Sequence, residues 1–527
     1  MPRPDAVYVQ IEPAGELRRA TARGDSEWSI DRVLVAYDED DVAGVLSVEA
    51  PDTHLARIAL RWDEGVPEES RVLGDAWERT YGDVTWMGLV PDRILPWYWL
   101  AHDARSGLVY GAGVRVGPAA WCSWTVDVDG VTLWADVRAG QFPVELGDRR
   151  LEVARLVRLE SAERPFAAQT ELVRALATKP IAVGPIVGAN NWYHAHGHNF
   201  DADAVVADAR VIARLAGDHA VRPFSVIDAG WAVGRSTDGG PWDRGKDSFA
   251  DMASVSERIR SEGARPGLWF RPLLSRAPSA YTHDVPLDGA WPLDPSRTET
   301  LDQIAADITR FRDWGFELIK HDFSTFDILG DFAPRLGPSM GSAPWRFFDS
   351  SRTTAEVITA LYRTIALAAG DAVIIGCNTV GHLAAGLVAV QRTGDDTSGR
   401  QWERTRRMGV NSLATRLPQH GSFFTLDADC VPATPQTPWR LNRQFLDLVA
   451  KSGTALFVSI DPAELRPDVD RDLAAGVRMA LDGGVPGGVE PLDAEFSSTP
   501  RRWRVSGQEV QYDWTDGPGA ASYLHQV

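Results

Sequence analysis

The feature that most limits how this chain can fold is an alternation of short apolar segments with amphipathic ones over residues 180–460. The apolar segments have the length of strands, and the stretches between them place apolar residues at helical spacing. The predicted strands are residues 183–189, 224–228, 266–270, 316–320, 372–377, 387–392, 421–425 and 454–459. Eight strands that alternate with helices predict a (β/α)8 TIM barrel. A doubly wound sheet is the alternative, but no GxGxxG turn follows the first strand.

Four of the amphipathic stretches are predicted helices, at residues 201–216, 247–262, 296–314 and 352–369. Asp201 stands at the start of the first one, where its carboxylate can accept hydrogen bonds from the free N–H groups of the first turn.

The segments on either side of the barrel are predicted to be rich in strands. Residues 1–170 contain many short alternating runs separated by turns, which is typical of a β-sandwich. Residues 461–527 should hold a helix and a small β-sheet. The sequence therefore predicts a multidomain α/β protein with an N-terminal β-sandwich (1–170), a barrel (180–460) and a small C-terminal β domain (461–527), and a linker within 162–180.

Composition excludes several classes of protein. Hydrophobic residues make up 44% of the chain and charged residues 24%, so the chain is globular rather than disordered. The net charge of −19 disfavours nucleic acid as a partner, because its phosphates would be repelled. The three cysteines, without CxxC spacing, predict neither a disulfide framework nor a zinc site. With no signal-peptide pattern and no bilayer-spanning run, we expect a cytoplasmic protein without a membrane partner.

Polar and aromatic residues follow nearly every predicted strand. The carboxyl ends of the strands form the active-site face of a TIM barrel, so these side chains should converge on one pocket. The candidate site residues are Asn190, Trp192, Asp228, Trp231, Trp269, Arg271, Lys320, His321, Asp322, Cys377, Arg392, Asp395 and Asp429. The chain also has 20 tryptophans, whose rings serve either as platforms for sugars or as core.

This mixture of carboxylates, cations and indoles matches what the hydrolysis of a glycosidic bond requires. Period-two alternation places Lys320 and Asp322 on one face of a strand, where the ammonium favours an ionised carboxylate. Asp395 follows the sixth strand and should lie across the pocket from Asp322, as a proton donor must. Its neighbour Asp396 is an alternative donor. Each carboxylate could instead only cap the next helix.

Two other groups invite a chemical interpretation. His194, His196 and His198 alternate in YHAHGHN, but this Gly-containing segment lies past a strand end, which favours a loop or subsite lining over a metal site. Cys377 has no histidine partner placed by the sequence, so a buried side chain is favoured over a nucleophile. We expect neither a metal nor an organic cofactor.

Three motifs resemble those of the clan D α-galactosidases, or melibiases, of glycoside hydrolase family 36 and, more distantly, family 27. LIKHD resembles their nucleophile motif, IDAGW the motif on their second strand, and RTGDDTS their acid/base motif. The order of the motifs is also similar. The resemblance implies a retaining exo-glycoside hydrolase that acts by double displacement through a covalent glycosyl-aspartate. It implies Asp322 as the nucleophile and Asp395 as the acid/base.

The resemblance further implies a sugar subsite lined by Lys320, Arg392, Asp228, Trp231 and Trp269. It implies a carbohydrate substrate, and it allows a homo-oligomer.

The chain also departs from the family pattern. Ala229 stands where the family often has a second carboxylate that binds sugar hydroxyls, and His321 replaces an aromatic residue. Galactose, another α-linked sugar and a β-L-arabinopyranoside therefore stay open as substrates. A transglycosylase and a catalytically inactive carbohydrate-binding protein are the alternative functions.

Overall fold

The N-terminal part of the chain forms two antiparallel sheets. The computed structural model describes residues 1–40, 43–178, 181, 184–197, 200–234, 238–287, 289–332, 336 and 340–515. The strands of the two sheets are β1 (Ala6–Gln10), β2 (Arg18–Arg19), β3 (Thr21–Ala22), β4 (Glu27–Ile30), β5 (Val33–Glu39), β6 (Gly44–Ala50), β7 (Arg57–Trp62), β8 (Arg71–Gly74), β9 (Leu95–Pro96), β10 (Tyr98–Asp103), β11 (Leu108–Val114), β12 (Trp121–Val126), β13 (Val131–Asp136) and β14 (Gly147–Ser161).

The two sheets share one apolar core. One has the order β2-β1-β7-β13-β12-β9, and the other has the order β3-β4-β5-β6-β14-β11-β10-β8. Leu60 of the first sheet and Val48 of the second belong to the same buried cluster, together with Trp97 and Trp124. The indole of Trp124 donates a hydrogen bond to the carbonyl of Trp97 (3.1 Å), which satisfies its buried N–H. For these two tryptophans, the core interpretation holds.

The predicted linker at 162–180 is wrong over most of its length, because it contains the helix α1 (Pro165–Leu176). The apolar face of α1 packs against β11 and β14. β11 makes room for this face with glycine: a Cβ added at Gly113 would lie 2.6 Å from Leu176 Cδ1. Gln169 of α1 also donates a hydrogen bond to the carbonyl of Thr415 (2.7 Å). The segment therefore attaches the N-terminal sheets to the rest of the molecule.

A parallel sheet of the TIM-barrel type follows, and each predicted strand overlaps a strand of this sheet. Its strands are β15 (Val187–Asn190), β16 (Phe224–Ile227), β17 (Arg265–Phe270), β20 (Leu318–His321), β21 (Val373–Gly376), β22 (Val390–Arg392), β23 (Thr425–Asp427), β24 (Val431–Ala433) and β25 (Leu456–Ile460), while β18 (Leu274–Ser275) and β19 (Trp291–Pro292) form a separate hairpin. The order is β23-β22-β21-β20-β17-β16-β15-β25-β24. A parallel bridge from Asp427 to Ala455 brings β23 beside the start of β25.

Helices alternate with these strands, as the amphipathic pattern predicts. They are α2 (Trp192–Ala195), α3 (Ala202–Ala216), α4 (Met252–Ser261), α5 (Thr298–Asp313), α6 (Ser324–Leu329), α7 (Thr354–Ala369), α8 (Gly381–Ala384), α9 (Trp402–Thr405), α10 (Asn411–Arg416), α11 (Trp439–Ser452) and α12 (Pro467–Leu481), with short 3₁₀ turns at Asp247–Phe249, Leu417–Gln419 and Pro462–Glu464 and a π-helical turn at Arg406–Val410. Asp201 caps α3 by accepting a hydrogen bond from the N–H of Ala204 (2.9 Å). The predicted helix 247–262 is interrupted, because Asp251 caps a new helix at α4.

The C-terminal segment contains a three-stranded antiparallel sheet made of β26 (Val489–Pro491), β27 (Arg502–Val505) and β28 (Gln508–Gln511). The preceding helix, α12, packs against α3 and α11. It thus joins the helical layer around the parallel sheet. Within the part of the chain that the structure describes, no helix is both long and apolar enough to cross a bilayer.

Candidate active site

A cavity of about 270 Å³ opens where the parallel strands end. Among the described residues, it is lined by Arg79, Tyr81, Asn190, Trp192, Tyr193, Asp228, Ala229, Trp269, Lys320, Asp322, Phe323, Phe332, Arg392, Asp395, Asp396, Arg404, Asp429 and Cys430. Most of these residues come from strand ends or the loops just after them. The structure therefore brings together nine of the thirteen candidate residues that the sequence indicated, and the alternative Asp396 with them.

Asp322 projects into the cavity from the end of β20. Its carboxylate accepts hydrogen bonds from the indole of Trp269 (3.1 Å) and from the backbone N–H of Phe323 (2.8 Å). Phe323 has a φ of +62°, and the guanidinium of Arg271 lies 4.2 Å from the centroid of its ring. Two neutral donors thus hold the carboxylate while it stays open to the cavity.

Asp228 and Lys320 form an ion pair on the floor of the cavity. The ammonium lies 2.7 Å from Asp228 Oδ2, which also accepts a hydrogen bond from the side chain of Asn190 (2.6 Å). Burial by itself would lower the pKa of Lys320, but the charges of Asp228 and Asp322 outweigh it and raise the pKa well above the usual value. Lys320 therefore remains a cation at the end of β20.

Asp395 and Asp396 follow β22 and differ in their surroundings. Asp395 is 8% exposed, and its carboxylate contacts the guanidinium groups of Arg79 (3.2 Å) and Arg404. Burial and the neighbouring Asp396 raise the pKa of Asp395, although both arginines oppose the shift. Burial would also raise the pKa of Asp396, but Arg392 at 2.7 Å and Arg79 lower it to about 2. Of the two, Asp395 is the carboxyl group that retains a proton more easily.

Asp429 makes several polar contacts within the wall of the cavity. It accepts hydrogen bonds from Tyr193 and from the N–H and hydroxyl of Thr397 (2.7 and 2.9 Å), and it pairs with Arg392 at 2.9 Å. Asp429 itself has a φ of +73° and donates its N–H to Asp427 Oδ1 (2.9 Å). The contacts of the carboxylate all involve Asp429 Oδ2, and they orient Arg392.

Four residues that the sequence indicated do not line the cavity. His321 points away from it, because it lies between Lys320 and Asp322 on a strand and alternate side chains face opposite sides. It packs against Tyr362 of α7, and burial lowers its pKa to about 4, so the ring is neutral. Cys377 is 1% exposed, and its sulfur lies 3.7 Å from the guanidinium of Arg392. Its buried position agrees with the alternative that the sequence favoured over a nucleophile.

Trp231 and Arg271 are the other two candidate residues that do not line the cavity. Trp231 is fully buried and donates its indole N–H to the carbonyl of Trp269 (2.8 Å), so its ring supports the cavity wall from behind. Arg271 is 2% exposed and donates to both oxygens of Asp327 in α6 (3.1 and 3.0 Å). We therefore remove Trp231, Arg271, His321 and Cys377 from the proposed substrate-binding residues.

The histidine-rich segment supplies no metal site among the described residues, since no group of three potential ligands is suitably placed there. His194 lies 3.5 Å from Asp208, and His196 packs edge-on against Trp192. His198 lies outside the described residues.

Sequence reasoning missed several residues of the cavity. Arg79 and Tyr81 come from the loop between β8 and β9, about 100 residues before the barrel. Thr80 reaches the barrel through a parallel bridge to Gly394. No periodicity or motif links these two segments, so the sequence offers no signal for this contact. Arg404 was missed because it lies on α9, beyond the loop that directly follows β22.

Comparison with known proteins shows which solved structures have a similar fold. The chain matches no protein-family profile and no curated protein sequence. Among solved structures, it is similar to the α-galactosidase TtGalA from Thermus thermophilus in complex with p-nitrophenyl α-D-galactopyranoside, with a TM-score of 0.62, 17% identity, and coverage of 91% of this chain and 97% of the other.

Two further structures show the same likeness. The galactosidase domain of the α-galactosidase-sucrose kinase AgaSK gives a TM-score of 0.60 at 14% identity, covering 90% of this chain and 74% of that one. The GH36 α-galactosidase AgaA A355E from Geobacillus stearothermophilus, in complex with 1-deoxygalactonojirimycin, gives 0.57 at 14% identity, covering 90% and 75%. The chain therefore shares the fold of α-galactosidases, including one of family GH36.

Proposed function

We propose that this protein is a glycosidase of the α-galactosidase type, which releases a terminal sugar from an α-linked glycoside. The observation that carries the proposal is the presence of Asp322 and Asp395 in one cavity at the strand ends, with an indole and an ion pair beside them. The shared fold with α-galactosidases supports it. Hydrolysis of a glycosidic bond needs two carboxyl groups beside the anomeric carbon, and this cavity contains two, Asp322 and Asp395, in different surroundings.

In the proposed reaction, Asp322 is the nucleophile of a retaining double displacement. Its carboxylate attacks the anomeric carbon, and the bond to the leaving oxygen breaks as a glycosyl-aspartate forms. The hydrogen bonds from Trp269 and Phe323 keep one carboxylate conformation directed at the cavity. Such fixed donors reduce the entropy lost when the reacting atoms meet.

Asp395 is the proposed acid/base. It donates a proton to the leaving oxygen in the first step and takes one from water in the second. Its raised pKa suits the first role, whereas Asp396 is held ionised by Arg392 and suits a supporting charge. This difference favours Asp395 over Asp396.

The remaining cavity residues bind the sugar in this proposal. The Asp228–Lys320 pair offers an acceptor and a donor to neighbouring hydroxyls, and Trp269, whose indole N–H is bonded to Asp322, borders the cavity. Asn190, Trp192, Arg392 and Asp429 complete the proposed subsite. Ala229 offers no second carboxylate to a sugar hydroxyl, so the identity of the sugar stays open. Because the solved structures with this fold are α-galactosidases, we propose galactosides as the first substrates to test and β-L-arabinopyranosides as the second.

We also propose that the chain divides into an N-terminal β-sandwich (1–170), a catalytic (β/α)8 barrel (180–460) and a small C-terminal domain (461–527). The N-terminal antiparallel sheets, the parallel sheet and the C-terminal antiparallel sheet are separate sheets, and this supports the division.

The test is a screen of p-nitrophenyl α- and β-glycosides, with the anomer of the released sugar followed by NMR. We expect release from an α-galactoside or a β-L-arabinopyranoside, with the configuration of the substrate retained in the first product. Asp322→Asn keeps the size of the side chain and should lower turnover at least about 10³-fold.

The alternatives give different results in the same screen. Transfer of the sugar to an added acceptor in preference to water indicates a transglycosylase. Sugar binding without turnover in both the wild type and Asp322→Asn indicates an inactive binding protein. An inverted first product contradicts the double displacement.

A further inference from the structure

The loop between β8 and β9 is joined to the barrel at the proposed acid/base. The N–H of Thr80 donates to the carbonyl of Thr393 (2.8 Å), and the N–H of Asp395 donates to the carbonyl of Thr80 (2.8 Å). A third contact runs from the side chain of Asn378 to Glu78 Oε2 (2.7 Å). These bonds fix the loop over the end of β22, and they place Arg79 in the cavity.

Arg79 contacts both adjacent carboxylates. Its guanidinium lies 3.2 Å from Asp395 Oδ1 and 3.6 Å from Asp396 Oδ1. The side chain is 7% exposed and donates a hydrogen bond to the hydroxyl of Tyr81 (3.1 Å). That hydroxyl donates to Glu78 Oε1 (2.7 Å), so a partly buried hydrogen-bond network holds the guanidinium in place.

We propose that Arg79 is a positioning residue that holds the Asp395 carboxyl beside Asp396 and stabilises its ionised form between the two steps of the reaction. This inference rests on the proposed function. It assigns to the N-terminal part of the chain a role in proton transfer at the barrel.

The chemistry of the double displacement explains why such a residue is needed. When Asp395 gives its proton to the leaving oxygen, it becomes an anion next to the anion of Asp396. It must remain ionised until water attacks the anomeric carbon, gives its proton to Asp395 and releases Asp322 from the ester. Asp395 is buried and Asp396 is partly exposed, and two such adjacent anions repel each other unless a cation contacts both.

The charged groups around Asp395 define what removal of Arg79 should do. Asp396 favours the protonated form, whereas Arg79 and Arg404 favour the ionised form. Glu78 and Tyr81 lie behind Arg79, and Arg392 neutralises Asp396 from the other side. Without Arg79, Arg404 remains as the cation in contact with Asp395, and the balance shifts toward the protonated carboxyl.

The experiment measures kcat/KM against pH for the wild type, Arg79→Gln and Arg79→Lys on the best alkyl or sugar glycoside, whose leaving oxygen needs protonation by Asp395. The alkaline limb reports loss of the proton from the acid, so Arg79→Gln should move this limb upward by about 1 pH unit. It should also lower kcat more than kcat/KM on a good leaving group, because the second step needs the ionised form. A lysine ammonium cannot contact both carboxylates like a guanidinium fork, so Arg79→Lys should shift the limb less, in the same direction.

Arg93→Gln is the matched control, since Arg93 belongs to the same N-terminal loop, its side chain donates to the carbonyls of Val72 and Thr85, and it is not among the described residues that line the cavity. Its alkaline limb should coincide with that of the wild type. An unshifted limb in folded Arg79→Gln overturns the inference even if the rate falls, because a purely structural role lowers the rate at all pH values. If Arg79→Gln does not fold, the alkaline limb of the pH profile of Arg79→Lys is used instead, and an unshifted limb in that variant overturns the inference. A wild type inactive on every glycoside overturns the proposed function itself.

Discussion

Asp322 and Asp395 are the same type of residue at the ends of two strands, yet their environments differ. Neutral donors, an indole and a backbone N–H, surround Asp322. Asp395 is buried beside another carboxylate, and burial together with Asp396 raises its pKa. Pairs of carboxyl groups with such different surroundings divide the roles of nucleophile and proton donor in glycoside hydrolysis.

This difference leads to a prediction for Asp395→Ala. Loss of the proton donor should slow cleavage of alkyl or sugar glycosides by about 10²–10⁴-fold, because their leaving oxygens need protonation. Formation of the glycosyl-enzyme from p-nitrophenyl glycosides should be nearly unaffected. The measurement is kcat/KM over a series of leaving groups of decreasing acidity.

Asp396→Ala is the comparison for this series. It should lower all rates by a similar factor, since Asp396 is held ionised by Arg392. If Asp396→Ala shows the dependence on the leaving group and Asp395→Ala does not, the two assignments must be exchanged.

At the scale of elements, alternation along one strand separates site residues from supporting ones. Lys320 and Asp322 face the cavity, while His321 between them faces α7. Resemblance to a motif placed all three in the site, but the geometry of a strand allows only every second residue to point inward. Alternation also applies to β11, where glycine lies on the face against which α1 packs closely.

The packing of α1 on β11 gives a prediction for stability. In Gly113→Ala, the new Cβ would lie 2.6 Å from Leu176 Cδ1 and 2.7 Å from Tyr98 Cβ, so one of these side chains must move. The free energy of unfolding should fall by about 1–3 kcal/mol, as measured by urea denaturation. Gly88→Ala is the control, because no atom lies within 4 Å of its added Cβ. Equal stability of both variants would contradict the close packing of α1.

At the scale of the whole molecule, the N-terminal sheets and the barrel are joined by buried polar contacts. His382 of α8 donates a hydrogen bond to the carbonyl of Val114 at the end of β11 (2.6 Å), and its ring stacks on Trp97. Arg416, at the end of α10, pairs with Asp75 at 3.0 Å. These contacts, together with Arg79 at the cavity, attach the N-terminal part to the barrel on the side that carries the proposed site.

The contact of His382 predicts how stability depends on pH. Burial lowers the pKa of His382 from 6.5 to about 3, so the folded state binds fewer protons than the unfolded state between these values. Its contribution to the free energy of unfolding therefore falls as the pH decreases below about 6.5. In His382→Gln, the decrease between pH 7 and pH 5 should be less steep by about 1 kcal/mol per pH unit.

Urea denaturation at several pH values measures this slope. His54→Gln is the matched control, because the side chain of His54 is 55% exposed and its substitution should leave the slope unchanged. An identical slope in the wild type and His382→Gln would contradict a buried, neutral imidazole at this contact.

Much of the fold could be predicted from local pattern. Eight of the nine strands of the parallel sheet, the cap at Asp201 and the strand-end position of Asp322 follow from periodicity and chain order, because parallel strands place their carboxyl ends at one edge. The helix within 162–180 was missed although Ala168, Leu172 and Leu176 recur at helical spacing, because a short segment between two predicted domains was interpreted as a linker.

The amino-acid sequence by itself determined the alternation of strands and helices and the set of chemical groups at the strand ends, because both depend on residues that are neighbours along the chain. Only the tertiary structure decided which of these groups reach the cavity, and that Arg79 lies between Asp395 and Asp396. The physical reason is that burial, ion pairing and the resulting proton affinities arise between segments far apart in sequence, and their contacts form only when the N-terminal sheets pack against the barrel.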